Sequence, residues 1–86
     1  MNHRRIIKKY PNRRLYDTEY SKYITLEDIR ILVIEKKEFV VVDAINKEDI
    51  TKNILLQIIV EKEQGSSPFF SIEVLTQIIR SYENED

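Results

Sequence analysis

Residues 8–18 read KKYPNRRLYDT, and this stretch determines how the chain is expected to begin. Pro11 presets the backbone for the first position of a tight turn, and Asn12 tolerates the second. Tyr and Ile favour strands, so we expect two short extended segments, residues 5–10 and 13–17, joined at that turn. A polar turn and a short third strand at residues 23–24 follow. The sequence therefore predicts a basic N-terminal β-ribbon.

The charge of this ribbon differs from that of the remaining chain. Residues 1–23 carry seven Lys or Arg against two acids, a net charge of +5, and contain four of the five tyrosines. Residues 24–86 carry seven bases against thirteen acids, a net charge of −6. A basic, aromatic arm ahead of an acidic body indicates contact with a polyanion. The same charges are also typical of an arm that is merely exposed to solvent.

Local signals predict the elements of the body. Thr25 and Asp28 have capping-box spacing and begin a helix that runs to about Lys37. The run FVVV at residues 39–42 predicts a buried strand, which ends in a turn where Asn46 takes a left-handed conformation.

Two more helices are expected, at about residues 49–63 and from Ser67 or Ser71 to Tyr82. The last is amphipathic, with six apolar residues on one face: Ile72, Val74, Leu75, Ile78, Ile79 and Tyr82. The predicted fold class is α+β, with short basic N-terminal strands followed by a helix, a strand and two helices. We expect one domain, residues 1–86, made of the arm (1–23) and the body (24–86).

The body has more apolar helix surface than one small core needs. The first predicted helix has two apolar faces, and the second is apolar around most of its circumference. A chain of this size buries only roughly 60–65% of its unfolded surface. It has no Cys and a single His, which leaves neither a disulfide nor a metal site as a stabilising device. We therefore expect a homodimer or higher homo-oligomer, assembled through residues 24–86.

Catalytic and membrane functions are not expected. There is no Cys nucleophile, and His3 lies in the terminal segment, where an oriented base is not expected. One Gly leaves no phosphate-cradling loop, so we predict no enzyme activity, cofactor or metal. No stretch reaches the roughly 18 apolar residues of a membrane span, and the N-terminus does not resemble a secretory signal. A soluble cytoplasmic protein is expected.

The ribbon is the candidate DNA-binding site, because a two-stranded ribbon fits the major groove of duplex DNA. The planar guanidinium forks of Arg13 and Arg14 fit phosphate oxygens or the O6 and N7 atoms of guanine, and the Asn12 side chain can pair with adenine. The lysines of this site are expected to contact DNA phosphates, and so are the hydroxyl groups of its tyrosines and of Ser21. The predicted DNA-binding residues are Lys8, Lys9, Tyr10, Asn12, Arg13, Arg14, Tyr16, Ser21 and Lys22. An alternative for Tyr16 and Tyr23 is that they pack on the first helix.

Five motifs resemble the N-terminal DNA-binding domain of the polyhydroxyalkanoate synthesis repressor family: KKYPNRRLYDT, SKYITLEDI, VVDA, EDIT and LLQII. The resemblance covers roughly residues 5–82. It implies a sequence-specific repressor of genes for polymer synthesis and granule-associated proteins, located at the bacterial nucleoid. The family signature YPNRRLYDT falls on residues 10–18. Its nucleic-acid-facing role carries over to Lys8, Lys9, Tyr10, Asn12, Arg13, Arg14 and Tyr16.

Two departures from the family bear on this interpretation. Lys36-Lys37 and Lys47 stand where the family commonly has Gly, so altered turn geometry is expected there. The region expected to engage polyhydroxyalkanoate granules lies downstream of Asp86, so granule contact is expected only through a region absent from this chain.

Two other functions compete with duplex binding. In the first, the chain is a protein-interaction module that docks a partner or a granule-surface protein through its apolar helix faces and basic arm. In the second, the tyrosines stack on the bases of single-stranded RNA. The second ranks last, because we expect the arm to lack a wide sheet platform.

Overall fold

Seven elements make up the structure, a computed structural model in which residues 4–83 are described. In chain order they are β1 (Arg5–Lys9), β2 (Leu15–Asp17), β3 (Lys22–Ile24), α1 (Leu26–Ile34), β4 (Phe39–Asp43), α2 (Thr51–Glu63) and α3 (Ile72–Ser81). The predicted α+β class and the predicted order of elements are confirmed. None of these helices is long and apolar enough to cross a membrane.

The four strands form one sheet in the order β3-β2-β1-β4. β1 pairs antiparallel with β2 and parallel with β4, so that Ile7 lies between Asp17 and Val41. β2 in turn pairs antiparallel with β3. The predicted ribbon is therefore continuous with the body, because β1 lies in the interior of the sheet.

The hydrophobic core lies between one face of the sheet and the first two helices. Its buried side chains are Ile7, Leu15, Ile29, Leu32, Val41 and Ile54. Side chains alternate along strands, so the neighbouring residues point to the opposite face. We call that surface the open face, and its residues are exposed or half-buried: Ile6, Lys8, Tyr16, Tyr23, Val40 and Val42.

Two predicted helix starts are confirmed. The Thr25 hydroxyl accepts the Asp28 N–H at 3.2 Å, and the Asp28 carboxylate accepts the Thr25 N–H at 2.9 Å, which completes a capping box. At α3 the Ser71 hydroxyl accepts the Val74 N–H at 3.1 Å. These caps are local in sequence, which is why residue types alone located them.

The predicted end of α1 is wrong by one turn. The helix ends at Ile34, and Lys36 takes a left-handed φ of 60°. The Lys36 N–H donates to the Val33 carbonyl at 3.0 Å, and the Lys37 N–H donates to the Leu32 carbonyl at 2.9 Å. This is the Schellman arrangement, which stops a helix by satisfying its last carbonyls. The two lysines therefore follow the helix instead of extending it.

Lys36 and Lys47 both keep a backbone that glycine adopts most easily. Their φ values are 60° and 68°, within the left-handed region, and the difference in turn geometry from the family stays a prediction. The left-handed residue after β4 is Lys47, not Asn46 as predicted. Asn46 instead accepts the Glu48 N–H through its side-chain oxygen at 2.9 Å.

α2 begins at Thr51, two residues later than predicted, because the preceding residues pair with β4. The Ile50 N–H donates to the Val41 carbonyl at 2.8 Å, and the Val41 N–H donates to the Thr51 hydroxyl at 2.8 Å. That hydroxyl donates to the Asp49 carboxylate at 2.7 Å, and the Thr51 N–H donates to the same carboxylate. Together these two hydrogen bonds hold the pKa of Asp49 below its usual range. The EDIT motif thus protects the outer edge of β4.

Replacing Lys36 with Gly is expected to stabilise the protein by about 1 kcal/mol, because a left-handed conformation is costly for any residue with a Cβ atom. Urea unfolding followed by circular dichroism measures the change. Lys37→Gly removes the same charge from a residue without positive φ, so it should not stabilise. Equal gains for both variants would show that the charge, and not the backbone, limits stability.

Candidate nucleic-acid interface

The turn between β1 and β2 presents two arginines to solvent. The Arg13 N–H donates to the Tyr10 carbonyl at 3.0 Å, and the Tyr10 N–H donates to the Arg14 carbonyl at 2.9 Å. This closes a three-residue hairpin loop whose last residue, Arg13, has a left-handed φ of 70°. The Asn12 side-chain oxygen accepts the Arg14 N–H at 3.2 Å. The predicted turn at Pro11-Asn12 is confirmed, with Arg13 at a position that favours glycine.

Arg14 is stacked on the open face of the sheet. Its Cζ lies 4.1 Å from the ring centroid of Tyr23. Tyr23 in turn meets Tyr16 edge to face, with ring centroids 5.2 Å apart. Tyr16 is opposite Lys8 in the sheet register, so Lys8, Tyr16 and Tyr23 form one row across three strands, with Arg14 over its last ring. Cation–π contact of this kind orients the guanidinium plane and is worth about 0.5–1 kcal/mol at exposed sites.

This row corrects two expectations from the sequence. Tyr16 and Tyr23 do not pack on α1, because they lie on the face of the sheet that points away from the core residues. The chain also has the sheet platform that we expected to be missing, since β4 widens the predicted ribbon to four strands. Tyr23 was left out of the predicted site. No local signal places it there, because its contact with Tyr16 depends on the register between β2 and β3.

A groove of about 720 Å³ lies beside the turn. Lys9, Arg13 and Arg14 line one part of it, and Gln57 and Glu61 of α2 line another. The apolar lining comes from residues of the strands and helices: Leu15, Ile24, Leu26 and Ile54. Arg14 and Tyr23 border both the groove and the open face. The groove therefore continues the cationic surface around the edge of the sheet.

Lys9, one of the cations that line the groove, has an acidic neighbour at the end of its strand. It pairs in register with Asp43. The backbone N–H groups of Asn46 and Ile45 hold the pKa of Asp43 below its usual range, and the charges of Lys9 and Lys47 add to this effect. The negative charge of Asp43 thus offsets part of the Lys9 charge.

Two predicted residues lie away from this cluster. Ser21, with a left-handed φ of 53°, belongs to the turn at the other end of β2. Lys22 is opposite Asp17 in the register and borders a separate pocket with Arg5 and Asp28 on the helix side of the sheet. The turn end and the open face bring together the remaining seven: Lys8, Lys9, Tyr10, Asn12, Arg13, Arg14 and Tyr16.

Asp17 of the signature has a structural role. It is 2% exposed and lies 3.7 Å from the Arg5 guanidinium. Its carboxylate also accepts the Glu19 N–H at 2.9 Å, and Arg5 lies 3.9 Å from the Glu19 carboxylate. Arg5 further covers the Tyr20 ring at 4.6 Å. Both acids of the arm are thus held by Arg5, at the end of β1 away from the turn.

The neighbouring signature residue, Thr18, is also structural. Its hydroxyl donates to the Ile6 carbonyl at 2.6 Å, and its N–H donates to the same carbonyl at 3.1 Å. Two donors on one carbonyl extend the pairing of β1 with β2 beyond the last strand residue. The second half of the signature therefore stabilises the pairing of β2 with β1, and the first half forms the exposed turn.

The profile of the PHB/PHA accumulation regulator DNA-binding domain matches residues 6–66. This match includes the turn, the sheet, α1 and α2. The chain belongs to this family. Membership confirms the resemblance drawn from the motifs, and it places the cationic turn and open face within a DNA-binding regulator domain.

Two longer proteins are similar to this PHB/PHA accumulation regulator domain. One, from Thiocystis violacea, is named as an uncharacterized protein in the phbA 5′ region and is 62% identical over 82 residues. The other, an uncharacterized protein of Allochromatium vinosum, is 61% identical over 82 residues. Each similarity covers 95% of this chain, which spans 59% and 54% of the two relatives. No solved structure matches the chain.

Replacing Asp17 with Ala is expected to destabilise the protein by about 2–3 kcal/mol, because it leaves Arg5 and the Glu19 N–H without their buried acceptor. Urea unfolding measures this change. Glu48→Ala, an exposed acid in the turn after β4, should change stability by less than about 0.5 kcal/mol. If Asp17→Ala were as stable as the wild type, the structural role of Asp17 would be wrong.

Proposed function

We propose that this domain binds double-stranded DNA sequence-specifically and represses genes for polyhydroxyalkanoate synthesis and granule-associated proteins. The observation that carries the proposal is the pair of exposed arginines at the turn, with Arg14 oriented on Tyr23 where the open face meets the groove. The family supports DNA as the ligand. A relative from the phbA 5′ region supports the connection to PHB.

Different side chains of the cluster are proposed to contact different parts of the DNA. Arg13 and Arg14 are proposed to contact guanine edges or phosphates, since their planar forks match both. Lys8, Lys9, Tyr10 and Tyr16 are proposed to contact phosphates and so to position the sheet on the duplex. Asn12 uses its oxygen to hold the Arg14 N–H, which leaves its amide nitrogen as the donor available to DNA.

The other two predicted residues enlarge the proposed footprint. Ser21 and Lys22 lie one short strand away from the cluster, roughly 10 Å at 3.3 Å per residue. They are therefore proposed to reach phosphates farther along the duplex than the turn does.

Assembly and location follow from the same proposal. A homo-oligomer with twofold symmetry would present two copies of this surface and prefer a nearly palindromic site. A repressor of this kind acts at the nucleoid in the bacterial cytoplasm. Contact with polymer granules is proposed for a region beyond this domain, and both relatives are longer than the chain.

Exposed apolar helix surface favours one alternative, the protein-interaction module. α1 leaves Ile31, Val33 and Ile34 exposed, and α2 leaves Leu56, Ile59 and Val60 exposed. A partner that covers these side chains would explain them without DNA. In that case the basic turn would recognise an acidic protein, and duplex DNA would bind weakly and without sequence preference.

Arg13→Gly provides a sharp test, because it removes the charge while relieving the left-handed backbone. We expect at least tenfold weaker binding to a duplex from upstream of a granule-protein gene, equivalent to about 1.4 kcal/mol. The slope of log affinity against log salt should fall by about 0.9 for each phosphate that the variant no longer neutralises. Fluorescence anisotropy with the specific duplex, a scrambled duplex and a single strand measures both quantities.

Lys36→Gly is the matched control. It replaces another left-handed cation with glycine, but Lys36 precedes β4 at the Arg5 end of β1, opposite the turn. It should bind like the wild type. If both variants bind all three probes equally and weakly, the turn is a non-specific cationic patch and the interaction-module function gains support. Preference for the single strand would instead favour base stacking on the open face.

A further inference from the structure

α3 carries an apolar face that is largely exposed. Six apolar residues occupy this face, and their exposed fractions range from 42% to 81%: Ile72, Val74, Leu75, Ile78, Ile79 and Tyr82. None of the helix residues is buried. The radius of gyration is 15.3 Å, whereas a compact domain of this length has roughly 12 Å. α3 therefore leaves its apolar face uncovered by the rest of the described chain.

Specific contacts tie the start of this helix to α2. The Glu63 carboxylate accepts the Phe69 N–H at 2.6 Å and the Phe70 N–H at 3.0 Å. The two phenylalanine rings meet edge to face at 5.3 Å, and Phe69 is 86% exposed. The connection is therefore held by hydrogen bonds, and Phe69 extends the apolar surface beyond the helix.

We propose that the apolar face of α3 packs antiparallel against the same face of a second copy of this chain. The proposal specifies the interface of the homo-oligomer proposed above. Residues 72, 75, 79 and 82 are spaced 3-4-3, so the stripe reads the same in both directions. In an antiparallel pair Ile72 is opposite Tyr82, and Leu75 is opposite Ile79. A twofold interface requires this self-complementarity.

The charges on α3 also suit a second copy. At 100° per residue, Glu73 and Arg80 lie on the side opposite the apolar stripe, so no like charges meet at its centre. Glu83, the residue after the C-cap Tyr82, makes this end of the helix acidic. The N-terminal end of a helix carries a partial positive charge. Antiparallel packing brings each acidic end to the positive end of its partner, whereas parallel packing would bring the acidic ends together.

The area of the face is close to what a dimer needs. With about 200 Å² as the full surface of a large side chain, the six exposed fractions amount to about 700 Å² per copy. Stable complexes bury about 800 Å² on each partner. Phe69 adds to this surface. A pair of α3 helices can therefore form most of a standard interface.

This interface would leave the DNA-binding surface free. The family profile ends at residue 66, and α3 begins at Ile72, so dimerisation lies in the segment that follows the matched domain. Two copies joined there present two cationic turns to one duplex. Once one turn has bound, the second turn binds the same duplex in an intramolecular step, which raises the overall affinity for DNA.

The test is the oligomeric state of three proteins by sedimentation velocity. The wild type should be a dimer at micromolar concentration, and Leu75→Lys/Ile79→Lys should be a monomer. Glu73→Gln/Gln77→Lys changes the charge by the same amount on the opposite face and should remain a dimer. Because α3 contributes no buried side chain, far-ultraviolet circular dichroism should show that all three keep the folded core. A monomeric wild type, or a dimer in Leu75→Lys/Ile79→Lys, overturns the interface.

Disulfide trapping tests the orientation, since the chain has no Cys of its own. A mixture of Ile72→Cys and Tyr82→Cys proteins should form a cross-linked pair on oxidation, and Ile72→Cys alone should not. Cross-linking of Ile72→Cys alone overturns the antiparallel arrangement.

DNA titration separates this interface from the DNA proposal. Leu75→Lys/Ile79→Lys should still bind DNA more weakly when Arg13→Gly is added, whereas Arg13→Gly by itself should remain a dimer. A wild-type protein that is monomeric but still weakened by Arg13→Gly refutes only the α3 pair. A dimer whose DNA binding is unchanged by Arg13→Gly refutes only the DNA site.

Discussion

The parallel pairing of β1 with β4 joins the N-terminal strands to the body of the domain. It places Ile7 beside Val41, both fully buried, under the side chains of α1 and α2. A parallel pair needs a long crossover, and residues 10–38 between the two strands supply the turn, β2, β3 and α1. The basic turn is therefore anchored to the core through β1. Its arginines therefore lie between two paired strands of the sheet.

The turn itself exchanges some stability for charge placement. Arg13 occupies a left-handed backbone position that a glycine would occupy at lower cost, while Arg14 gains orientation from Tyr23. Arg5 has the opposite role, because Asp17 and Glu19 neutralise it within the fold. Position in the sheet thus separates structural cations from available ones.

Features set by near neighbours could be predicted from the sequence. The turn at Pro11-Asn12, the caps at Thr25 and Ser71 and the amphipathic face of α3 all depend on residues within four positions of each other. The cationic character of the arm was equally evident, since charge is a property of composition. Helix ends were less predictable. The stop of α1 at Ile34 depends on a left-handed Lys36, a conformation that residue type does not favour.

The elements, their order, the family and the basic turn could all be predicted from residue types, because caps, turns and charge act over short distances. Which side of each strand faces the core depends on how the elements pack, because alternation along a strand distinguishes two faces without saying which is covered. That choice put Tyr16 and Tyr23 on the open face and buried Asp17 against Arg5. It also brought β4 beside β1, a contact between residues more than thirty positions apart that local propensities do not specify.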